Sequence, residues 1–382
     1  MLARRRRPRE VTAINQADTD LRREVREFLA HEMVAGHHRA RCDSWMVGHS
    51  PEFSRALGER GWIGMTFPPE YGGAGRRSTD RYAVIEELLA AGAPVAAHWF
   101  ADRQVGPALL RHGTAEQKRE FLPGICRGEL YFAIGMSEPD SGSDLAAVRT
   151  RAVYHSGRWR LSGSKVWTSH AHMAHYALVL ARTDATSAEH RHAGLSQFLV
   201  DLTLPGVQVR PIITLDGGHH FNEVFFDEVE LTDDRLLGKR GEGWSQVMQE
   251  LALERSGPER FMSTMPLLRS LLRRSTPHHP SLGALLAELA SIRALSMTVA
   301  EALGRGELPS VDSAIVKDLG TLFERKVIEV VRASACSIAE FDADDELQRL
   351  LAEAIAHAPD RTLRGGANEV LRGIVAKTLV AS

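Results

Sequence analysis

Two segments of the middle third could hold an anion and a flat ring. The first is Gly135-Met136-Ser137-Glu138-Pro139-Asp140-Ser141-Gly142-Ser143-Asp144. Short or missing side chains at Ser137, Ser141, Gly142 and Ser143 let backbone N–H groups approach a phosphate or the edge of a ring. The second is Trp159-Arg160-Leu161-Ser162-Gly163-Ser164-Lys165-Val166-Trp167-Thr168-Ser169. Its alternation predicts a strand with Trp159, Leu161, Gly163, Lys165 and Trp167 on one face and Arg160, Ser162, Ser164 and Val166 on the other, so that Trp167 can lie flat on a ring. Taken singly, a Ser/Gly loop is only a loop and a strand with two tryptophans is only core. A third candidate is a carboxylate. In Leu251-Ala252-Leu253-Glu254-Arg255, Glu254 continues the apolar face of Trp244, Val247, Met248 and Leu251. A carboxylate there is costly unless it has a task or a partner, and Arg255 or Arg260 is the local partner on offer. Burial would raise its pKa towards neutrality, which suits proton abstraction.

These groups need elements to hold them. Helical spacing covers Thr19–Met33, Glu52–Glu59, Thr79–Ala91, Gly106–His112 and Ala115–Ile125, and Pro68-Pro69-Glu70-Tyr71-Gly72-Gly73-Ala74-Gly75 is a turn between them. From Tyr131 the texture changes to short β-rich runs: Val148–His155, Arg158–Trp167, Tyr176–Arg182, Gln197–Leu202, Val207–Thr214 and Glu223–Leu231. Ser156-Gly157 joins the first two as a hairpin. After Gly241-Glu242-Gly243 helices return over Trp244–Arg255, Pro280–Leu303, Val311–Ala339 and Glu346–Ala356. In the second of these Leu285, Leu289, Ile292, Val299 and Leu303 form one stripe. The expectation is an α+β, mainly α protein with an N-terminal helical domain (1–130), a central antiparallel barrel or sandwich (131–240) and a C-terminal four-helix bundle (241–382).

The chain has 382 residues and a net charge of −2, long enough for two or three domains and too balanced to call for nucleic acid or a membrane surface. The run Arg4-Arg5-Arg6-Arg7 reads as a solvated tail. No apolar stretch is expected to span a bilayer and no signal-peptide core follows the arginines, so a cytoplasmic location is expected. Cys42, Cys126 and Cys336 are isolated and odd in number, against a disulfide framework or a thiolate metal site. The seventeen histidines include the adjacent pairs His37-His38, His219-His220 and His278-His279, whose rings point apart, and His170, His172 and His175, which lack a neighbouring carboxylate or thiol at ligand spacing. No metal is expected.

Together the two segments resemble the flavin-binding face of the acyl-CoA dehydrogenase family. The first fits its small-x-Ser/Thr-Glu-x-x-small-Gly-Ser/Thr-Asp signature at every position, and the second fits Trp-x-Leu-x-Gly-x-Lys-x-Trp. Pro-x-x-Tyr-Gly-Gly occurs in the family too, and the order helices, strands, helices matches its architecture. The resemblance implies FAD-dependent oxidation of an acyl-CoA to its trans-2-enoyl-CoA, with electrons passed to an electron-transfer flavoprotein. It assigns Met136, Ser137, Gly142, Ser143, Trp167, Thr168, Ser169 and Glu369 to the flavin, and Ser143, Arg255 and Gly366 to the acyl-CoA. Many members carry the catalytic base just before Gly-Thr in a C-terminal segment. Here that segment is Arg364-Gly365-Gly366-Ala367-Asn368-Glu369-Val370-Leu371-Arg372 and Gly365 holds the place. Another branch takes its base from a Leu-x-x-Glu-Arg helix, which points to Glu254, although Ser256-Gly257-Pro258 interrupts the helix that usually follows.

A larger departure concerns assembly. Homotetrameric members complete a neighbour's FAD site with Arg-x-x-Phe-Gly and Gln-x-x-Gly-Gly. The corresponding segments here are Arg273-Arg274-Ser275-Thr276-Pro277-His278-His279-Pro280 and Glu340-Phe341-Asp342-Ala343-Asp344-Asp345. The resemblance therefore implies a heterotetramer with a related subunit. The segment Ala97-His98-Trp99-Phe100-Ala101-Asp102-Arg103-Gln104 is similar to members that act on steroid side chains, so a bulky acyl-CoA is expected. The alternatives are a non-catalytic scaffolding or flavin-binding subunit and a flavin oxidase or monooxygenase on the same fold.

Overall fold

The structure, a computed structural model, describes residues 16–185, 190–274, 280–334 and 344–381. The arginine run at 4–7, Cys336, the His278-His279 pair and the greater part of both replaced assembly segments lie outside the described residues.

The N-terminal third is helical: α1 (Gln16–Val34), α2 (Ser44–Val47), α3 (Pro51–Glu59), α4 (Ser78–Ala90), α5 (Ala96–Phe100), α6 (Gly106–His112) and α7 (Ala115–Cys126). The helix starts are written locally. Ser50 accepts the Phe53 N–H at α3, and Thr114 and Gln117 form a reciprocal capping box at α7. Between α5 and α6 the chain makes a π turn, Ala101–Val105, ahead of Pro107, which has no N–H to continue the α ladder. The steroid-like segment 97–104 lies in this joint. Its Asp102 accepts the Gly64 N–H at 2.8 Å and an Arg81 guanidinium at 3.1 Å.

The middle forms one eight-stranded sheet from β1 (Phe132–Gly135), β2 (Arg151–His155), β3 (Arg158–Ser169), β4 (Tyr176–Arg182), β5 (Leu195–Asp201), β6 (Val207–Ile212), β7 (Phe221–Leu231) and β8 (Leu236–Leu237), seven of them in the order β6-β7-β3-β2-β4-β5-β8 and β1 off this path beside β4. Ser156 and Gly157, both at positive φ, close the β2–β3 hairpin. The expected all-antiparallel pattern needs one correction, because β1 and β2 both run parallel to β4. The four-residue β1 carries no alternation long enough to read. Trp159, Leu161, Phe198, Val200, Val224 and Val229 fill the buried face.

The remainder is helical again: α8 (Gly243–Glu254), α9 (Met265–Arg274), α10 (Pro280–Gly304), α11 (Ser310–Ser334), α12 (Glu346–Ala356) and α13 (Asn368–Ala381). Among the described residues this C-terminal part thus holds six helices where four were expected. The two unforeseen ones are α9, of 10 residues, and α13, of 14. Of the expected α10 stripe, Leu285, Ile292 and Val299 are buried. By length and a hydropathy of 1.4, α10 is also apolar enough to cross a bilayer, contrary to the expectation, but here it packs along α11 and α4.

The N-terminal and C-terminal helices meet over a buried polar knot. Asp43, preceding α2, binds Arg361 and Arg364 from the α12–α13 connection, and its own N–H reaches the Ser263 carbonyl at 2.9 Å. Glu324 of α11 accepts the Ser263 N–H at 2.7 Å and lies 3.6 Å from Arg361. Burial raises the Asp43 carboxyl, but the two guanidinium groups outweigh it and hold Asp43 below its ordinary range.

Candidate active site at the cradle loop and the end of α8

The loop after β1 is fixed by its acid rather than by its glycine. Glu138 is buried and accepts the backbone N–H groups of Arg149 at 2.6 Å and Thr150 at 2.9 Å. Lys165 of β3, fully buried, donates to Glu138 Oε1 at 2.8 Å and to the Met136 carbonyl at 3.0 Å. Burial lowers the Lys165 ammonium to about 8 against the pull of Glu138. Ser141 and Glu138 exchange backbone hydrogen bonds, and Ser141 Oγ closes the turn on the Asp144 carbonyl. Exposed Gly142 and Ser143 are held out at the crest, with open space where a Gly142 side chain would be. Ser137 is half-buried and its carbonyl accepts the Val166 N–H at 2.9 Å, binding loop to strand.

Glu138→Gln should destabilise the fold by about 3–5 kcal/mol, because it leaves the Lys165 ammonium buried without its counter-charge. Urea unfolding of this variant and of Glu138→Gln/Lys165→Met checks it. The double variant recovers most of the loss if the pair, and not Glu138 alone, sets the cost.

The end of β3 departs from simple alternation. Lys165 faces Val224 and Thr168 faces Asn222, so β3 carries an extra residue there. The bulge falls at Trp167, at φ 58°, an unusual backbone for a bulky residue. It turns Trp167 outwards, 56% exposed and edge-on to Phe221, and turns Thr168 and Ser169 inwards. The expectation that Trp167 shares a face with Lys165 is therefore corrected. Gly163 is likewise exposed, after a second register shift. The Thr168 hydroxyl is buried without a partner, while its carbonyl accepts Asn222 Nδ2 at 3.0 Å. The histidines beyond the strand are engaged in packing. His170 donates to the Met46 carbonyl at 2.6 Å, and burial lowers it to about 3; His172 stacks on His219.

Met136 joins this cradle to α8. It packs with Trp244 and Leu251 of α8 against Val148, Leu180, Leu195 and Val247. At the far end of α8, Glu254 is the last helical residue. The Ser256-Gly257-Pro258 break turns the chain so that Arg260, 4% exposed, comes back to donate to both the Glu254 carboxylate at 2.8 Å and its carbonyl at 2.7 Å. The Glu254 side chain keeps 21% exposure, so it sits at a rim and not in the dry pocket expected. Arg255 is buried and donates to the Gly365 carbonyl at 2.9 Å. Gly365 and Gly366 both have positive φ, and a side chain at 365 would meet the Arg260 guanidinium at 3.0 Å. The two positions that bear the base in different branches thus converge on one guanidinium. Glu369 is exposed in the first turn of α13.

Sequence reasoning missed two groups here. Lys317 of α11 is buried and donates to Asn368 Oδ1 at 2.7 Å, and burial pushes it down to about 7. Glu250, one turn before Glu254, is 3% exposed, accepts Gln197 Nε2 at 2.8 Å, and is raised by burial to about 8. Of the two local partners that the sequence offered Glu254, Arg260 is the one that pairs with it. The available signal was a charged residue on the buried face of an amphipathic helix, as with Lys317 beside Ala314 and Val316.

Glu250 makes a pH signature. An acid whose folded pKa is raised loses stability as pH rises from its ordinary value, 4.5, through about 8, where the unfolded chain has released the proton and the folded chain has not. The full loss above that window is on the order of 5 kcal/mol. Glu250→Gln should therefore gain on wild type between pH 5 and pH 8 in paired urea unfolding, and parallel curves would refute the assignment.

The described ends of the two replaced assembly segments lie together. Arg273 of α9 pairs with Glu346 of α12 at 2.7 Å, and Arg274 pairs with Asp345 at 2.8 Å. Their guanidinium groups are committed within the chain.

Family models described as acyl-CoA dehydrogenase, N-terminal domain, and acyl-CoA dehydrogenase, middle domain, match residues 15–129 and 133–229. Acyl-CoA dehydrogenase IpdE1 of Mycobacterium tuberculosis is 42% identical over 203 residues, 53% of this chain, and the match spans only 52% of that relative's length. IpdE1 of Mycolicibacterium smegmatis is 34% identical over 391 residues, covering 94% of this chain and 97% of its own. Among solved structures, the Tcur3481-Tcur3483 steroid ACAD superposes with a TM-score of 0.83 at 28% identity over 99% of this chain and 98% of its own. The ChsE4-ChsE5 complex from Mycobacterium tuberculosis does so at 0.79 and 26% over 98% and 99%. With family models over both its N-terminal and middle parts and a relative matched over nearly its whole length, the chain belongs to the acyl-CoA dehydrogenase family.

Proposed function

We propose that the chain is the catalytic subunit of a heteromeric, FAD-dependent dehydrogenase that oxidises a bulky acyl-CoA, of the steroid side-chain kind, to its trans-2-enoyl-CoA. The observation that carries the reading is the junction at the end of α8, where Arg260 holds Glu254 beside the glycine that replaces the alternative base. The residues around the cradle fit a flavin: open space at Gly142, an outward Trp167 and a buried Thr168 hydroxyl lacking a partner. Met136, Ser137, Gly142, Ser143, Trp167, Thr168, Ser169 and Glu369 would hold it. When bound, the flavin supplies the acceptor for the β-hydrogen as hydride.

The chain's own part is to place the thioester and move the α-proton. Ser143, Arg255 and Gly366 orient the CoA ester, with Arg255 anchored on the Gly365 carbonyl. Glu254 takes the α-proton onto a carboxylate oxygen while the carbonyl gains enolate character, and Arg260 fixes the carboxylate's direction. As hydride leaves Cβ, the α C–H electron pair becomes the new double bond. Heteromer assembly is supported by the two-component names of the similar solved structures and by the Arg273–Glu346 and Arg274–Asp345 pairs, which occupy the cations at the start of the segment that replaces Arg-x-x-Phe-Gly. An electron-transfer flavoprotein is the proposed acceptor.

The test is anaerobic titration of a yellow, purified complex with a bulky acyl-CoA. Bleaching with formation of enoyl-CoA supports the reading. Stoichiometric peroxide in air without an acceptor would favour an oxidase, and a flavin that no acyl-CoA bleaches would remove the dehydrogenase reading.

A further inference from the structure

We propose that Lys317 of α11 is a positioning residue of the reaction: through Asn368 it holds the loop that carries Gly365, and by that loop it sets the aim of Glu254 at the α-proton. The inference rests on the dehydrogenase reading above, and it gives a role to a residue that reading leaves unused.

Lys317 is 1% exposed, and its ammonium makes one hydrogen bond, to Asn368 Oδ1 at 2.7 Å. Among the described residues no carboxylate pairs with it: neighbouring Asp318 is taken by Arg372 at 3.0 Å and Glu254 by Arg260 at 2.8 Å. A buried ammonium without a counter-ion is expensive, and methionine would fill the same space without that cost.

The surroundings show what the amine does. Asn368 opens α13, and its N–H closes the preceding loop on the Thr362 carbonyl at 3.1 Å. Inside that loop the Gly365 carbonyl accepts Arg255 Nε at 2.9 Å, and Gly365 itself lies against the Arg260 guanidinium, which grips the Glu254 carboxylate. Three positions on from Lys317, Gly320 packs on the Arg260 backbone, where a side chain would come within 2.3 Å of the Arg260 carbonyl. Lys317 and Gly320 share a face of α11, so one stretch of helix supports both the turn that returns Arg260 and the loop that Arg260 meets.

The charges agree with this placement. Burial, then Arg260 and Arg364, push the Lys317 ammonium down to about 7 while Asp318 and Glu254 hold it up, so the amine stands in the field of the base itself. Arg260 has one carboxylate partner among the described residues, Glu254. Without the Lys317–Asn368 bond the loop at 362–368 loses its polar tie to α11, Gly365 no longer confines the guanidinium, and the carboxylate leaves the line of the α-proton.

The experiment measures the limiting rate of flavin reduction by a bulky acyl-CoA in the FAD-loaded complex. Lys317→Met should lower that rate about 10–100-fold, the cost of a small misplacement at a reacting group, with FAD content and acyl-CoA dissociation constant unchanged. Asn368→Asp, which still accepts from Lys317, should stay within about threefold of wild type. Lys317→Met/Asn368→Leu replaces both partners with apolar groups, which is close to neutral for stability, and should fold like wild type yet reduce as slowly as Lys317→Met. The deciding comparison is made in a Glu254→Gln background, where no base is left to aim, and there Lys317→Met should change the residual rate by less than about twofold. A general folding defect would carry its full factor into both backgrounds. Wild-type reduction in Lys317→Met, or an equal loss in both backgrounds, overturns the inference alone. Wild-type reduction in Glu254→Gln overturns the assignment of the base and this inference with it.

Discussion

Glu254→Gln should slow flavin reduction by roughly 10²–10⁴, the usual contribution of a positioned base, while FAD content and acyl-CoA affinity stay near wild type. Glutamine keeps the volume and can still accept from Arg260, so the Arg260 contact at 2.8 Å survives and only the basic lone pair is lost. Stopped-flow reduction under anaerobic conditions reads the effect directly. Wild-type reduction rates in the variant would move the base elsewhere, and Glu250, the other acid on the buried part of α8, becomes the first candidate.

The second large effect concerns cofactor loading. Expressed alone, the chain should purify nearly colourless, and coexpression with a homologue that carries Arg-x-x-Phe-Gly and Gln-x-x-Gly-Gly should give a yellow complex. The arginines at the end of α9 are paired with Asp345 and Glu346 of the same chain, so they are not free to meet a neighbour's pyrophosphate. Losing two charge-assisted hydrogen bonds, each worth roughly 1.5–3 kcal/mol, weakens FAD by about 10²–10⁴. Absorbance at the flavin band against protein concentration, with mass measured by light scattering, tests this. A homotetramer fully loaded with FAD and active by itself would refute the heteromer and return the substrate question to ordinary acyl-CoAs.

The succession of helices, strands and helices was legible because the hydrophobic period changes near Tyr131 and again after Gly243, and long amphipathic stretches announce themselves. The cradle loop was legible for a different reason: Glu138, Ser141 and Gly142 sit at fixed offsets that a family signature records. What escaped has no local signature. The Trp167 bulge requires a positive φ at a residue that seldom takes one, imposed by the pairing of β3 with β7. The aim of Glu254 depends on Arg260, brought back by a break at Ser256-Gly257-Pro258 that reads in sequence only as an interruption. Lys317, Glu250 and the parallel β1–β4 pairing are tertiary facts, set by partners 51, 53 and 44 positions away.

The knot of Asp43, Glu324, Arg361 and Arg364 bears on how the molecule comes apart. Pulling the first helices away from the last would strand guanidinium groups in the interior, a penalty of about 3–5 kcal/mol for each broken pair. Local opening along the border between sequence blocks is thereby disfavoured relative to global unfolding. The stretch before β1 and the stretch after β8 therefore form one cooperative folding unit interrupted by the sheet.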